Sequence, residues 1–372
     1  MNYSANTSRS KFWDVVRGLG ILSIVIGHSW GPAIPYVYAY HLAIFFFVSG
    51  FLYNYKKYGT DPFGHIAAKL KSSWPKYMFY MTIFILCHNF FEDMGINPPS
   101  VYYSRSQMLM YIGNSVTFQG AEYMGGAMWF IPLWVLSCGV FGGTVWLCSH
   151  VAVFLKLRVS SRQTSLARLT AAVSFFWGVC GMFFVFRNLQ LSYQFHLALL
   201  IQPFFGIGWL LKESCPYYRQ FLKWYMAIPC AAILAVWIRS RNLYIDLSLG
   251  QIGNGWEYYL LAILGIYCCM WLASIIEKSR LAGGLFSLFG RYSFDIMCLH
   301  FLFFKILDLL YGRILLGDSS EIYSAFPQAY STVLWPLYAA AGTYLPALAG
   351  LMLDRLKLWL SKNLRESGKR DS

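Results

Sequence analysis

Ten apolar stretches follow one another along this chain, at about 12–30, 36–53, 74–91, 126–149, 168–186, 193–211, 224–239, 256–276, 291–311 and 331–353. Each is close to the roughly 20 residues that an α-helix needs to cross the hydrocarbon core of a bilayer. Hydrocarbon offers the backbone no hydrogen-bond partner, so an apolar run of this length must satisfy its own N–H and C=O groups as a helix. The expected fold is therefore all-α, a polytopic membrane protein built as a bundle of about ten transmembrane helices. Composition agrees: 58% of the 372 residues are apolar and only 12% charged, against about 25% charged in an ordinary soluble domain. This excludes a disordered chain and argues against a soluble enzyme.

The basic residues fix the expected orientation. With the N-terminus inside, only Arg105, Arg187, Arg239, Arg241 and Arg313 of the 30 lysines and arginines fall on outer segments, and Arg17 and Lys305 lie within spans. All the others fall on inner segments, as the positive-inside rule requires when both termini are cytoplasmic. The formal charge of +14 thus records topology rather than an affinity for nucleic acid. The boundaries follow: a cytoplasmic tail at 1–10, a membrane domain at 11–354, and a basic cytoplasmic tail at 355–372. Arg17 and His28 interrupt the first apolar run and no small-residue cleavage site follows, so the first helix is expected to be retained rather than removed as a signal peptide. The nine cysteines show no zinc or redox spacing and read as packing residues, so no metal is expected.

Against so apolar a background, titratable residues inside spans stand out, because each costs a few kcal/mol to insert. Span 1 carries Asp14, Arg17 and His28. Eleven residues at 100° each return Arg17 and His28 to within about 20° of one face, roughly 16 Å apart along the axis. A long substrate lying along the helix meets both, with an anionic end at Arg17 and a reactive end at His28; acyl-coenzyme A has that shape. The alternative is that Arg17 reaches the surface or pairs with Asp14 while His28 bonds a neighbouring helix. His41 stands near the same end of span 2, joined to His28 by a short loop. One of these two histidines is expected to serve as a general base, since an imidazole with pKa near 6.5 suits proton transfer at neutral pH. In FFFVSGF (45–51), Ser49 and Gly50 are expected to permit close helix packing.

Other segments carry weaker signals. In AKLKSSWPKYMFY (68–80), Lys69, Lys71 and Lys76 either hold the phosphates of a cytosolic donor or act as ordinary basic flanks. The segment 92–125, with Glu92, Asp93, Glu122, Tyr102, Tyr103, Tyr111 and Tyr123, either holds a sugar on aromatic faces or folds as a loop over the bundle mouth. His65 reads as solvated, and His88, His150 and His196 as span ends. In FGRYSFDIMCLH (289–300), Ser293 is expected to cap a helix, His300 to make a packing contact, and Asp295 to pair with Arg291. Trp129 and Phe130 either line an acceptor cavity or pack at a span start.

DVVRGLGILSIVIGH (14–28), His41 with FFFVSGF, the basic segment ending in Pro75 and Tyr77, GGAMWFIPLWVL (125–136) and the Gly290, Ser293, His300 pattern occur in the order found in the membrane acyltransferase 3 family, which the chain resembles over about 10–355. The resemblance implies ten helices in a bacterial cytoplasmic (inner) membrane and an O-acyltransferase, most often an O-acetyltransferase. It implies acetyl-CoA or another acyl-CoA as donor, and as acceptor a hydroxyl of a cell-surface or lipid-linked glycan. Arg17 and His28 match the family's essential pair. Lys69 and Lys71 stand where relatives often carry donor-binding arginines, and Met297 stands where a tyrosine is common. No appended hydrolase-like domain is expected. The competing class is a transporter or flippase of an anionic or lipid-linked substrate, with Arg17 and the histidines as pathway groups.

Overall fold

The computed structural model describes residues 10–97, 102–120, 122–154, 162–317, 326–327 and 331–367. Residues 1–9, the loop with Lys156 and Arg158, and the chain end with Lys369 and Arg370 lie outside the described residues. Sixteen helices follow in order: α1 (Lys11–His28), α2 (Ile34–Tyr38), α3 (Ala43–Phe51), α4 (Tyr55–Tyr58), α5 (Pro62–Leu86), α6 (His88–Asp93), α7 (Arg105–Val116), α8 (Phe130–Phe154), α9 (Arg162–Phe186), α10 (Phe195–Leu200), α11 (Gln202–Ser214), α12 (Trp224–Ser240), α13 (Trp256–Ile276), α14 (Arg280–Arg291), α15 (Ser293–Asp308) and α16 (Ser331–Ser367). A 3-10 turn at Tyr123–Trp129 leads into α8, and a π-helical stretch at Leu309–Leu316 extends α15. No strand occurs among the described residues; one antiparallel bridge joins Asp246 and Gln251.

Helix covers the core of every apolar stretch, but five segments are long and apolar enough to cross a membrane on their own, or six when the pair α10 and α11, bent by 46°, counts as one. Part of the shortfall is length, since α12 and α15 have 17 and 16 residues. Helices α1, α5 and α15 also carry ions, and in the folded chain those ions meet one another. The Arg17 guanidinium pairs with Asp14, which Arg291 of α14 also approaches at 3.6 Å. Lys76 of α5 pairs with Asp295 of α15 at 2.9 Å, and Tyr80 donates to the same carboxylate at 2.7 Å. Lys305 is fully buried 3.4 Å from Asp308, which also accepts from Tyr338 at 2.6 Å. Asp295 therefore departs from the expected pairing with Arg291, its close neighbour on the chain, because α5 delivers a lysine and a tyrosine to it from the other side.

Glycines set how closely the helices cross. A Cβ on Gly18 would overlap the carbonyl oxygen of Phe286, and one on Gly290 that of Asp14, so α1 and α14 touch backbone to backbone. The same exchange joins α3 to α11, with Gly50 against Phe205 and Gly208 against Phe47. Without a hydrophobic drive between helices in lipid, such contact is what packing has to work with. At the bend, Pro203 supplies no N–H, and side chains take up freed carbonyls. Gln202 donates to Ala198 O at 2.7 Å and Tyr259 to Leu200 O at 2.6 Å.

The segment expected as a C-terminal tail is helical as far as Ser367, making α16 37 residues long. His65, expected in solvent, is buried against the rings of Tyr53 and Tyr58, each 5.0 Å away.

Candidate active site

His28 ends α1 and His41 sits in the short turn between α2 and α3, so the loop that joins the two helices brings both imidazoles to one cavity of about 380 Å³. Trp129 and Phe130, at the junction of the 3-10 turn and α8, form part of its wall. Four of the residues singled out in the sequence thus share one wall, although they come from three separate segments.

The hydrogen bonds assign the histidine tautomers. His300 Nδ1 lies 3.0 Å from the carbonyl oxygen of Ile296, one turn earlier in α15. A carbonyl only accepts, so this nitrogen carries the proton and Nε2 of a neutral His300 is left as an acceptor. His28 Nδ1 is 2.8 Å from that Nε2 and therefore donates to it. Neutral His28 then has its lone pair on Nε2. His41 Nδ1 donates in the same way to Val37 O at 2.9 Å, which again leaves Nε2 as the basic nitrogen. Rings hold these orientations: His28 stacks on His300 with centroids 5.0 Å apart, Phe301 lies 5.1 Å from His28, and Tyr38 lies 4.7 Å from His41.

A loop between α12 and α13 closes the cavity with Asp246 and Ser248. Backbone hydrogen bonds of 2.8 Å run both ways between Asp246 and Gln251, and Asp246 Oδ1 accepts from Ser248 N at 2.8 Å. The loop is tied down by Glu257, which is almost fully buried and accepts from Trp237 Nε1 and Asn254 N at 3.0 Å each. Tyr244 stacks on Tyr38 at 5.4 Å, and burial together with the Asp246 charge raises its phenol pKa. Asp246 is the carboxylate at hand for a histidine that becomes cationic.

Arg17 lies at the other end of α1 and lines a different cavity, of about 560 Å³, together with Lys56 and Lys212. Lys212 also donates to Tyr53 O at 2.7 Å. Lys69 and Lys71 do not join this cavity. Lys69 Nζ sits 5.2 Å from the ring of Trp134, and Lys71 is exposed. The rotation of α5 carries them to another wall, and the cations that accompany Arg17 come from α4 and α11 instead.

His300 is the residue that local reading undervalued. It touches His28, 272 positions away, and the sequence marked it only by its place on one face with Ser293 and by the Gly290, Ser293, His300 pattern of the resemblance. Asp246 gave no signal, since its loop has no periodicity. Of the carboxylates and tyrosines at 92–125, Glu122 and Tyr123 line an adjoining cavity of about 790 Å³, Asp93 accepts from Tyr102, and Glu92 faces His88. Among the described residues, no group of three or more His, Cys, Asp or Glu side chains is placed to hold a metal.

A family model described as an acyltransferase domain matches residues 10–352. No curated protein and no solved structure matches the chain.

Proposed function

Because the chain belongs to the acyltransferase 3 family and is a multi-pass membrane acyltransferase, we propose that it transfers an acyl group, acetyl foremost, from cytosolic acyl-CoA to a hydroxyl of a cell-surface or lipid-linked glycan. The observation that carries this reading is the chain of hydrogen bonds from Ile296 O through His300 to His28, which leaves His28 Nε2 basic on a cavity wall. In the proposed reaction, the acceptor hydroxyl attacks the thioester carbonyl carbon while His28 Nε2 removes its proton. The C–S bond then breaks as the tetrahedral intermediate collapses, and the thiolate recovers the proton from His28. His300 keeps Nδ1 occupied, so that the free lone pair faces the reaction, and Asp246, whose charge acts on His41, lines the same cavity. His41 positions the acceptor or shares the proton.

The cavity at Arg17, Lys56 and Lys212 supports a donor site for the phosphates, with both chain termini cytoplasmic. Lys69 and Lys71 then act as basic flanks rather than donor ligands. The site lies in a multi-pass protein of the bacterial inner membrane.

Thiol release and acylated product, measured with purified protein in detergent, acetyl-CoA and a panel of glycan acceptors, test the reading. Substrate movement in proteoliposomes with no thiol release would favour the transporter instead. Two variants refine it. Arg17→Gln is expected to raise KM for acetyl-CoA about 10- to 100-fold, the worth of one charged hydrogen bond of roughly 1.5–3 kcal/mol, and to leave the acceptor KM unchanged. His300→Phe is expected to lower kcat on the order of 10²-fold, part of the roughly 10²–10⁴-fold a general base supplies. His300→Gln, which keeps an acceptor near the lost Nε2, should recover part of that rate; equal activity in both variants would remove His300 from the mechanism.

A further inference from the structure

The cavities at the two ends of α1 share no lining residue among those described, yet a donor held at Arg17 and reacting at His28 has to occupy both. A face of α3 joins them. Between Leu42, which lines the histidine cavity, and Leu52, which lines the Arg17 cavity, only Phe45 and Ser49 are not buried. At 100° per residue and 1.5 Å rise, these four positions fall within about 80° of one another, a single stripe roughly 15 Å long. Its length matches the roughly 16 Å between Arg17 and His28 on α1.

Neighbouring helices stand on both sides of the stripe. A Cβ on Gly20 of α1 would meet the Phe45 ring at 3.2 Å, and the same ring lies 6.0 Å from that of Phe130 on α8. One turn further along α8, Trp134 Nε1 donates to Ser49 Oγ at 2.9 Å. The Lys69 ammonium of α5 lies 5.2 Å from the Trp134 ring, a charged edge that lipid tails do not cover. The stripe is therefore the floor of a cleft between α1 and α8. Gly50, the next residue, makes the close crossing with α11 instead.

Ser49 is the one side chain of the stripe that can hydrogen-bond, and most of its capacity is committed. Its hydroxyl donates to Phe45 O at 2.7 Å and accepts from Trp134. A serine oxygen has two lone pairs, so one is left, and it can only accept. An occupant of the cleft is thus apolar where it lies on Leu42, Phe45 and Leu52 and brings an N–H or O–H to Ser49. By the helix rise, Ser49 stands roughly 5 Å from Leu52 and roughly 10 Å from Leu42, nearer the Arg17 end. The arm of acyl-CoA has this pattern, for it runs from phosphate to sulfur through two secondary amides, one of them nearer the phosphates. An amide N–H enclosed in such a cleft without an acceptor would be costly.

We propose that the Leu42, Phe45, Ser49 and Leu52 face of α3 is the track of the donor's pantetheine arm, and that Ser49 Oγ accepts the N–H of the amide nearer the phosphates. The assignment rests on the acyl-CoA reading. It makes Ser49 a donor-binding residue and leaves the close helix packing of this segment to Gly50.

The test uses the full chain in detergent and two ligands: coenzyme A, and an analogue with an ester oxygen in place of that one N–H. Affinities are measured by calorimetry without acceptor. The parent is expected to bind coenzyme A about tenfold more tightly than the analogue, the effect of one enclosed hydrogen bond. Ser49→Ala should bring coenzyme A down to the analogue's affinity and close the gap, and Ser49→Thr, which keeps the oxygen, should preserve it. Ser49→Cys, close to serine in size, replaces the alanine variant if that one does not fold. Equal affinities in the parent, or a gap unchanged by loss of the Ser49 oxygen, overturns the proposal. Thiol release from acetyl-CoA without the gap would keep the acyltransfer reading and remove the track. The gap without thiol release onto any acceptor would do the reverse, and no binding of coenzyme A at all would overturn both.

Discussion

Replacing His28 by alanine is expected to lower kcat by about 10²–10⁴-fold, the range that a positioned general base contributes, while the protein stays folded and monodisperse. The expectation follows from geometry. His28 Nδ1 is committed to His300 at 2.8 Å, so its Nε2 is the lone pair offered to the cavity. The lost imidazole lines a cavity but also stacks on His300 and donates to that buried ring, so its removal should cost about 1–3 kcal/mol of stability. Added imidazole should restore part of the rate to His28→Ala, because the vacated space opens onto the same cavity. Full activity in the variant would remove His28 as base and leave His41 to be examined in its place.

The second large effect is structural. At Gly290, a Cβ would sit inside contact distance of the Asp14 carbonyl, and neither backbone can yield without parting α1 from α14. Gly290→Ala should therefore cost at least the upper end of the ~1–3 kcal/mol that overpacking costs, and Gly290→Val should leave little folded protein in detergent. Gly284, on the same helix, has nothing within 4 Å of its would-be Cβ. Gly284→Ala should be neutral or stabilise by up to about 1 kcal/mol through helix propensity. Opposite signs for the two substitutions, read from thermal unfolding, check the close crossing; equal effects would refute it.

Why some of this could be read from the chain and some could not is a matter of range. Helices were legible because an apolar run near 20 residues has one way to satisfy its backbone in hydrocarbon. The meeting of His28 and His41 was legible because few residues separate them, and Gly50 marked a close approach because small residues in apolar runs do little else. Ion partners were not legible. Asp295 had Arg291 beside it in sequence and took Lys76 from 219 positions away, since burial of α15 against α5 decides which charge is near. Lys69 and Lys71 illustrate the same limit from the other side: their basic character was plain, but only the rotation of α5 determines which wall they face. His300 lay in a recognisable string, yet its partner lies at the far end of the chain. Asp246 sits in a loop fixed by Glu257 and a backbone bridge, neither of which has a periodic signature.

Arg17 and His28 stand on one continuous helix, and this makes α1 a ruler. The rise of an α-helix fixes the separation of the two positions at roughly 16 Å, whatever is bound. Every acyl-CoA has the same arm between its phosphates and its sulfur, so in the proposed reaction each donor brings its thioester to the same height on α1. What differs among donors extends past the sulfur, into the histidine cavity of about 380 Å³. The choice of acyl chain is then made beyond the ruler's end, by residues such as Leu42, Met297 and Phe301 that line that space. Under the proposed reaction, enlarging one of them is expected to change which acyl group is carried without altering how the donor is held.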